Sequence, residues 1–176
     1  MKQLSSALIF FISLLILGSC KKSKSSSAQV SSTSNDIEAV NSVMKSYKDA
    51  LENLSVDDTY DLFIKNSQVF ESGGYEGSYS DYINNHIGPE LAHFNSFKFS
   101  DYRIATFIDL PYAFTTESYF YTIDLKENIE NGTPPLIIKK KGITTSILRK
   151  INGRWKIVKT HSSSRDKKSE SHNYVE

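Results

Sequence analysis

From Ile37 the apolar positions recur at intervals of three and four: Ile37, Val40, Val43, Met44, Tyr47, Leu51 and Leu54. That spacing is one face of an amphipathic helix, and Asn35 with Glu38 three residues on predicts its capped start. Ser55-Val56-Asp57-Asp58 repeats the signal and predicts a second helix through Tyr60, Leu62 and Phe63. The period then changes. Ser67 to Glu71 reads as a strand, Ser72-Gly73-Gly74 ends it, and Ser78 with Asp81 predicts a third helix carrying Tyr82, Ile83, Ile87 and Leu91. Gly88-Pro89 interrupts that helix. Proline lacks a backbone donor and clashes one turn back, so a kink or a stop and restart is expected, with Pro89 in the first turn of the second piece.

Beyond Phe94 the pattern is β-like. Phe97 and Phe99, then Tyr102, Ile104, Thr106 and Ile108, alternate in two phases, which predicts a bulge near Ser100 or Asp101. Asp109-Leu110-Pro111-Tyr112 predicts a turn, and Phe114 to Asp124 a long strand rich in β-branched and aromatic residues. Leu136 to Ile151 and Arg154 to His161 follow, joined by Asn152-Gly153, a strong hairpin signal between alternating runs. Counting outward from that turn pairs Ile151 with Arg154, Lys150 with Trp155, Leu148 with Ile157 and Thr144 with His161. Trp155, Ile157 and His161 are thereby expected on one face.

Helices followed by long antiparallel strands predict an α+β domain, with three N-terminal helices packed on a curved antiparallel sheet. The order of elements resembles the nuclear transport factor 2-like superfamily, in particular its SnoaL-like branch with a cystatin-like cone. The resemblance is carried by Tyr47 to Leu51, Val69-Phe70-Glu71-Ser72-Gly73, Tyr82 to Phe94 and Ile151 to Arg165, and it covers Asp36 to about Arg165. It implies a pocket between the concave sheet face and the helices. It does not imply one function, because the fold hosts enzymes, binders and multimerisation modules.

The ends of the chain have a different pattern. After Lys2, Ala7 to Leu17 is apolar apart from Ser13, and small residues follow, as in a secretory signal. The run is too short to span a bilayer, which takes roughly 20 apolar residues. Leu17-Gly18-Ser19-Cys20 resembles the lipobox of a bacterial lipoprotein signal, which implies cleavage before Cys20 and acylation of that cysteine. Residues 1–19 are then a signal peptide, residues 20–35 the acylated Cys20 with a flexible Ser- and Lys-rich tether, residues 36–165 the domain and residues 166–176 a disordered tail. The implied place is the bacterial cell envelope, with the protein held by membrane lipid and facing the periplasm or the exterior. Several acyl chains on one residue make such attachment lasting, where a single chain holds only reversibly.

Composition narrows the remaining possibilities. Cys20 is the only cysteine, so the domain has neither disulfides nor a thiol for catalysis. The chain has 21 Lys and Arg against 20 Asp and Glu, net +1, which offers no electrostatic footprint for nucleic acid. No Gly-rich phosphate loop, Cys-based metal box, nucleophile elbow or HExxH is present.

Candidate chemistry centres on Glu117, an acid sharing a strand face with Thr115, Tyr119, Tyr121 and Ile123. Burying an ionised carboxylate without a partner is costly, so Glu117 either lies at an exposed sheet edge or is buried with a partner in the pocket. His161 with Glu117 forms one candidate acid–base pair, as in the cyclases and isomerases the resemblance brings with it. Glu71, His86, Glu90, Tyr119, Trp155 and Arg165 are the further pocket candidates. His86 and Glu90, four apart, could bind a metal ion together with Glu71, Glu117 or His161. The expected function is small-molecule binding in the cone, with no cofactor required beyond that optional metal. The alternatives are an isomerase, cyclase or hydrolase using the His–Glu pair, a metal-binding protein, or a homodimerisation module using convex-face residues such as Ile143, Ile147 and Val158.

Overall fold

The computed structural model describes residues 25–127, 132 and 134–166. The expected signal segment, Cys20 and the tail beyond Asp166 lie outside the described residues. The elements run α1 (Ser25–Glu52), a 3₁₀ turn (Tyr60–Leu62), β1 (Phe63–Glu71), β2 (Gly74–Gly77), α2 (Tyr79–Tyr82), a π-helical turn (Ile83–Ile87), α3 (Gly88–Ala92), β3 (Phe94–Asp109), β4 (Tyr112–Leu125), β5 (Leu136–Ile151) and β6 (Arg154–Asp166). The strands form one sheet of six in the order β2-β1-β6-β5-β4-β3. It is mixed, not wholly antiparallel as expected, because β1 runs parallel to β6.

Two helical expectations need correction. α1 starts at Ser25, ten residues before Asn35, so part of the span expected as a flexible tether is helical. No Gly or Pro lies between Ser25 and Glu52, and Ser and Thr cost only tenths of a kcal/mol per residue against better helix formers. A helix nucleated by the packed face of Val40 and Met44 can therefore propagate backward. The expected second helix is a single 3₁₀ turn. Ser55 engages Asp57 in a local turn, its Oγ donating to the carboxylate and accepting from the Asp57 amide, and Phe63 leaves for the sheet to stack on Tyr79 at 3.5 Å between ring centroids. The expected third helix is present as α2, the π turn and α3 end to end. The described residues thus form two helical bodies where three helices were expected.

That broken helix follows its local signals. Ser78 and Asp81 form a reciprocal capping box. At the Gly88-Pro89 break the Gly88 amide donates to Ile83 five residues back. A Cβ on Gly88 would lie 2.3 Å from the Ile83 carbonyl oxygen, so the wide turn needs glycine there, and Pro89 opens α3 where it owes no donor.

The β register follows the two-residue period along most of the sheet, and two of its slips shape the cone. Asp101 takes φ 50° where β3 slips against β4 between Ser100 and Arg103, the bulge expected from the sequence. The second slip lies between Ile147 and Leu148 on β5 and leaves Val158 of β6 as the extra residue. Asn152 and Gly153 both have positive φ, 50° and 80°, so the hairpin turn is of the I′ type its sequence predicts.

α1 crosses the concave face of the sheet and is fixed part-way along its length by a buried polar clamp. Asp36 is 7% exposed. Its Oδ1 accepts from Trp155 Nε1 at 3.0 Å and from Lys150 Nζ at 2.5 Å. Lys150 and Trp155 are cross-strand partners on the inner face, so the hairpin presents both donors to one carboxylate. Val40, Met44, Phe63, Ala113, Leu148 and Ile157 form the core around this clamp. The hydrogen bond from Lys150 holds the Asp36 carboxyl below the usual range against the opposing pull of burial, and Trp155 lowers it further. Stability from this group is present above the ordinary aspartate range and is lost as pH falls through the depressed value. Asp36→Ala, which leaves Trp155 Nε1 buried without an acceptor, is expected to lower stability by about 2–3 kcal/mol in chemical denaturation. Glu38→Ala on the exposed face should stay within about 0.5 kcal/mol.

Candidate functional site

The open end of the cone, under α1 and the broken helix, contains a cavity of about 160 Å³. Its wall is largely aromatic: Tyr47, Tyr82, Phe94, Phe97, Phe99, Tyr119 and Tyr121, with Leu51, Val69, Ile87 and Ile123 between them. Polar groups are contributed by Glu71, Glu90, Thr144, Thr160 and Ser162. A second compartment of about 40 Å³ lies behind it and shares Tyr47, Leu51, Phe99, Tyr119 and Thr144 with the first. Met44, Lys48, Tyr102 and Glu117 complete that smaller space.

Tyr119 is the partition between the two. It pairs across the strands with Gly142, and a Cβ on Gly142 would lie 2.3 Å from its ring. The glycine is what lets the ring lie flat on β5. The Tyr119 hydroxyl is 2.8 Å from Thr144 Oγ1. Burial pushes its pKa up to about 12, with Thr144 opposing and the nearby carboxylates Glu117 and Glu71 adding to the rise. It therefore stays a neutral hydroxyl.

Glu117 is 5% exposed, so of its two expected placements the buried one is observed. Its partner is Tyr102, whose hydroxyl donates to Glu117 Oε1. Desolvation pushes the Glu117 carboxyl up to about 7, and the hydrogen bond from Tyr102 pulls it part of the way back. Tyr102 is not among the site candidates read from the sequence, where it appears only in the alternation of β3. It sits inside the β3 bulge between Ser100 and Arg103, and a bulge re-aims the side chain beside it. The break in alternation at Ser100 and Asp101 was the available signal.

His161 is not part of this site. Beyond the extra residue Val158 it pairs with Thr145 instead of Thr144, which turns it to the convex face. There it is exposed and lies edge-on to Phe70 at 6.4 Å. Thr160 and Ser162 face the cavity in its place. Arg165, expected in the pocket, shares the outward phase of His161 and is exposed. Trp155 is buried, but at the closed end against Asp36 and not on the cavity wall. The His161–Glu117 pair is thus replaced by Glu117–Tyr102.

Glu71 and Glu90 do line the cavity. Glu71 Oε2 accepts from the Tyr82 hydroxyl at 2.6 Å. Glu90 is half-exposed at the rim, and loss of hydration raises its pKa although His86 opposes this. His86 lies outside the wall, with Nδ1 2.9 Å from Glu76 and Nε2 3.4 Å from Glu90. Partial burial disfavours its charge, but the hydrogen bond to Glu76 and the fields of Glu90 and Glu71 outweigh that and raise its pKa. Among the described residues no group of three or more His, Cys, Asp or Glu is placed to hold a metal ion. His86 and Glu90 form an ion pair at the rim.

No family model matches the sequence, and no curated protein matches it. Solved structures do. A nuclear transport factor 2-like superfamily protein from Salmonella enterica serovar Typhimurium superposes with a TM-score of 0.65 at 19% identity, over 81% of this chain and 99% of that one. The chain has the nuclear transport factor 2-like fold. A proposed ketosteroid isomerase from Shewanella frigidimarina gives 0.55 at 22% identity, over 71% of this chain and 94% of the other. A Caulobacter vibrioides protein described by its cystatin-like fold gives 0.58 at 10% identity, over 74% and 89%. At these identities the likeness is one of fold, and it agrees with an α+β cone around a curved mixed sheet.

Glu117 makes this nuclear transport factor 2-like cone sensitive to pH in a direction its environment dictates. A carboxyl whose folded pKa is about 7 holds its proton more tightly in the native than in the unfolded chain. Stability is full below the ordinary glutamate value and declines as pH rises toward 7. Relative to Glu117→Gln, wild type is expected to lose on the order of 3 kcal/mol between pH 4.5 and 8 and little further above it. Denaturant titrations of both proteins across that range check this, and parallel curves would show that Glu117 keeps an ordinary pKa.

Proposed function

We propose that this protein is a small-molecule binding module, held at the bacterial cell envelope through acylated Cys20, that takes its ligand in the aromatic cavity of the cone. The observation that carries the reading is the cavity: about 160 Å³, opening between the sheet and the broken helix and lined by rings that bury apolar surface while presenting hydroxyls. Convergent polar groups in an apolar concavity are the usual form of a ligand site. The lipobox resemblance of Leu17-Gly18-Ser19-Cys20 supports the anchoring half of the proposal.

A second reading, proton transfer, is favoured by the buried Glu117 carboxyl with its Tyr102 donor. A pKa near the working pH is what a general acid or base needs. Structures sharing the fold include the proposed ketosteroid isomerase and a proposed scytalone dehydratase from Novosphingobium aromaticivorans. In this chain Glu117 would have to act through the compartment behind Tyr119, which holds about 40 Å³. That is little room for a reacting molecule, and binding is therefore placed first.

Neutral aromatics such as p-cresol and 2-naphthol, screened by thermal denaturation, test the cavity. At ten times Kd a binder should raise Tm by about 3–6 °C, and Ser162→Trp, which fills the cavity from β6, should abolish the rise while leaving the fold intact. Equal shifts in both proteins would place the binding elsewhere. The anchor is tested separately: Cys20→Ser should stop palmitate labelling and move the protein out of the membrane fraction, and unchanged labelling would overturn the lipid attachment.

A further inference from the structure

The charge of the cavity lining is one-sided. Among the described residues of its wall Glu71 and Glu90 are the only charged side chains, with no Lys, Arg or His beside them. Burying carboxylates in an aromatic enclosure without a cation is unfavourable unless something compensates them. Within the wall the compensation is a tyrosine hydroxyl: Tyr82 donates to one oxygen of Glu71, which leaves the other for a guest. Glu117 adds a third carboxyl close behind Tyr119.

The wall also attracts cations elsewhere in the same molecule. Lys48 places its ammonium 5.8 Å from the ring centroids of both Phe99 and Tyr102, and Phe99 is shared between the two compartments. Lys48 is itself paired with Glu52 at 2.7 Å and Asp49 at 2.9 Å, so its charge is already engaged by α1. The cavity in front offers similar rings and its own carboxylates, with no ammonium among its described lining residues. Aromatic faces around a carboxylate are the chemistry that recognises organic ammonium groups.

From this geometry we infer that the ligand of the cone is an organic cation, an amine or quaternary ammonium compound whose charged head lies among Tyr82, Tyr119 and Phe99 against Glu71, with Glu90 at the mouth. The inference rests on the small-molecule reading above and names the class of molecule. Anionic ligands are disfavoured by the same two carboxylates.

The test uses the full chain and three probes of similar shape: benzyltrimethylammonium, its neutral carbon isostere neopentylbenzene, and benzoate, followed by ligand-observed NMR. The cation is expected to bind about tenfold more tightly than the isostere, as a cation–π and carboxylate site implies, and benzoate not at all. Glu71→Gln keeps an acceptor for Tyr82 and should reduce the preference by about threefold or more. Glu90→Gln, at the exposed rim, should reduce it less and cannot disturb the core. If the isostere binds as well as the cation, or Glu71→Gln and Glu90→Gln both leave the ratio unchanged, the cation inference is overturned while the cavity reading stands. If p-cresol and 2-naphthol bind and the cation does not, the same holds. If none of the five compounds binds, both fall.

Discussion

A β-strand shows its side chains to alternate faces, so one extra residue exchanges the faces of everything beyond it. The cone of this protein depends on two such residues. On β6 the insertion is Val158, opposite the step from Ile147 to Leu148. Before it, Trp155 and Ile157 face α1 and build the closed end. After it, Thr160 and Ser162 face inward, and His161 and Arg165 face out. Without the bulge an imidazole and a guanidinium would enter a cavity that has neither. On β3 the bulge at Asp101 lets the strand bend around α1 and swings Tyr102 onto Glu117. Curvature and chemistry come from the same irregularities.

The bulges also mark where the sequence stops being readable. Elements with strong local chemistry are visible in advance: the Asn152-Gly153 hairpin, the Ser78–Asp81 capping box, the Gly88-Pro89 break and the inward stripe of Glu117. Each depends on interactions within a few residues. The β3 bulge is visible because two apolar phases collide at Ser100. The β6 bulge leaves no such trace, because Val158 is itself apolar and Ser162 to Ser164 have no phase to contradict. Counting from the turn is therefore right as far as Leu148 opposite Ile157 and wrong by one residue from Ile147 outward. That single residue is why Glu117 was legible as a site residue and His161 was misplaced with it.

Tertiary context explains the helical differences. The Ser55–Asp58 signal is as good as the one at Ser78, yet only Ser78 caps a helix. Thr59 is buried, accepting from the Tyr79 hydroxyl at 2.6 Å while its own hydroxyl donates to the Val56 carbonyl. Phe63 is then committed to Tyr79 and to its parallel partner Ile157. A helix continuing through Phe63 would forfeit both that stacking and the β1–β6 pairing, and packing of this kind outweighs the tenths of a kcal/mol per residue that propensity offers.

The alternation that builds the cavity also separates charge. With 21 basic and 20 acidic residues the chain is close to neutral, but Lys139, Lys141, Arg149, Lys156 and Lys159 all lie in the outward phase of β5 and β6. Glu71, Glu90 and Glu117 lie in or beside the inner cavities. Cations in contact with solvent are screened over about 8–10 Å and do little for carboxylates across the sheet. Two of the inner carboxyls are met by tyrosine hydroxyls, which hydrogen-bond a carboxylate without neutralising it, Tyr82 on Glu71 and Tyr102 on Glu117, whereas the buried Asp36 takes the Lys150 ammonium. Glu71 and Glu117 in turn raise the pKa of Tyr82 and Tyr102, and burial raises them more. The donors stay protonated, and a net charge near zero conceals a cavity whose described charged lining residues, Glu71 and Glu90, are both acidic.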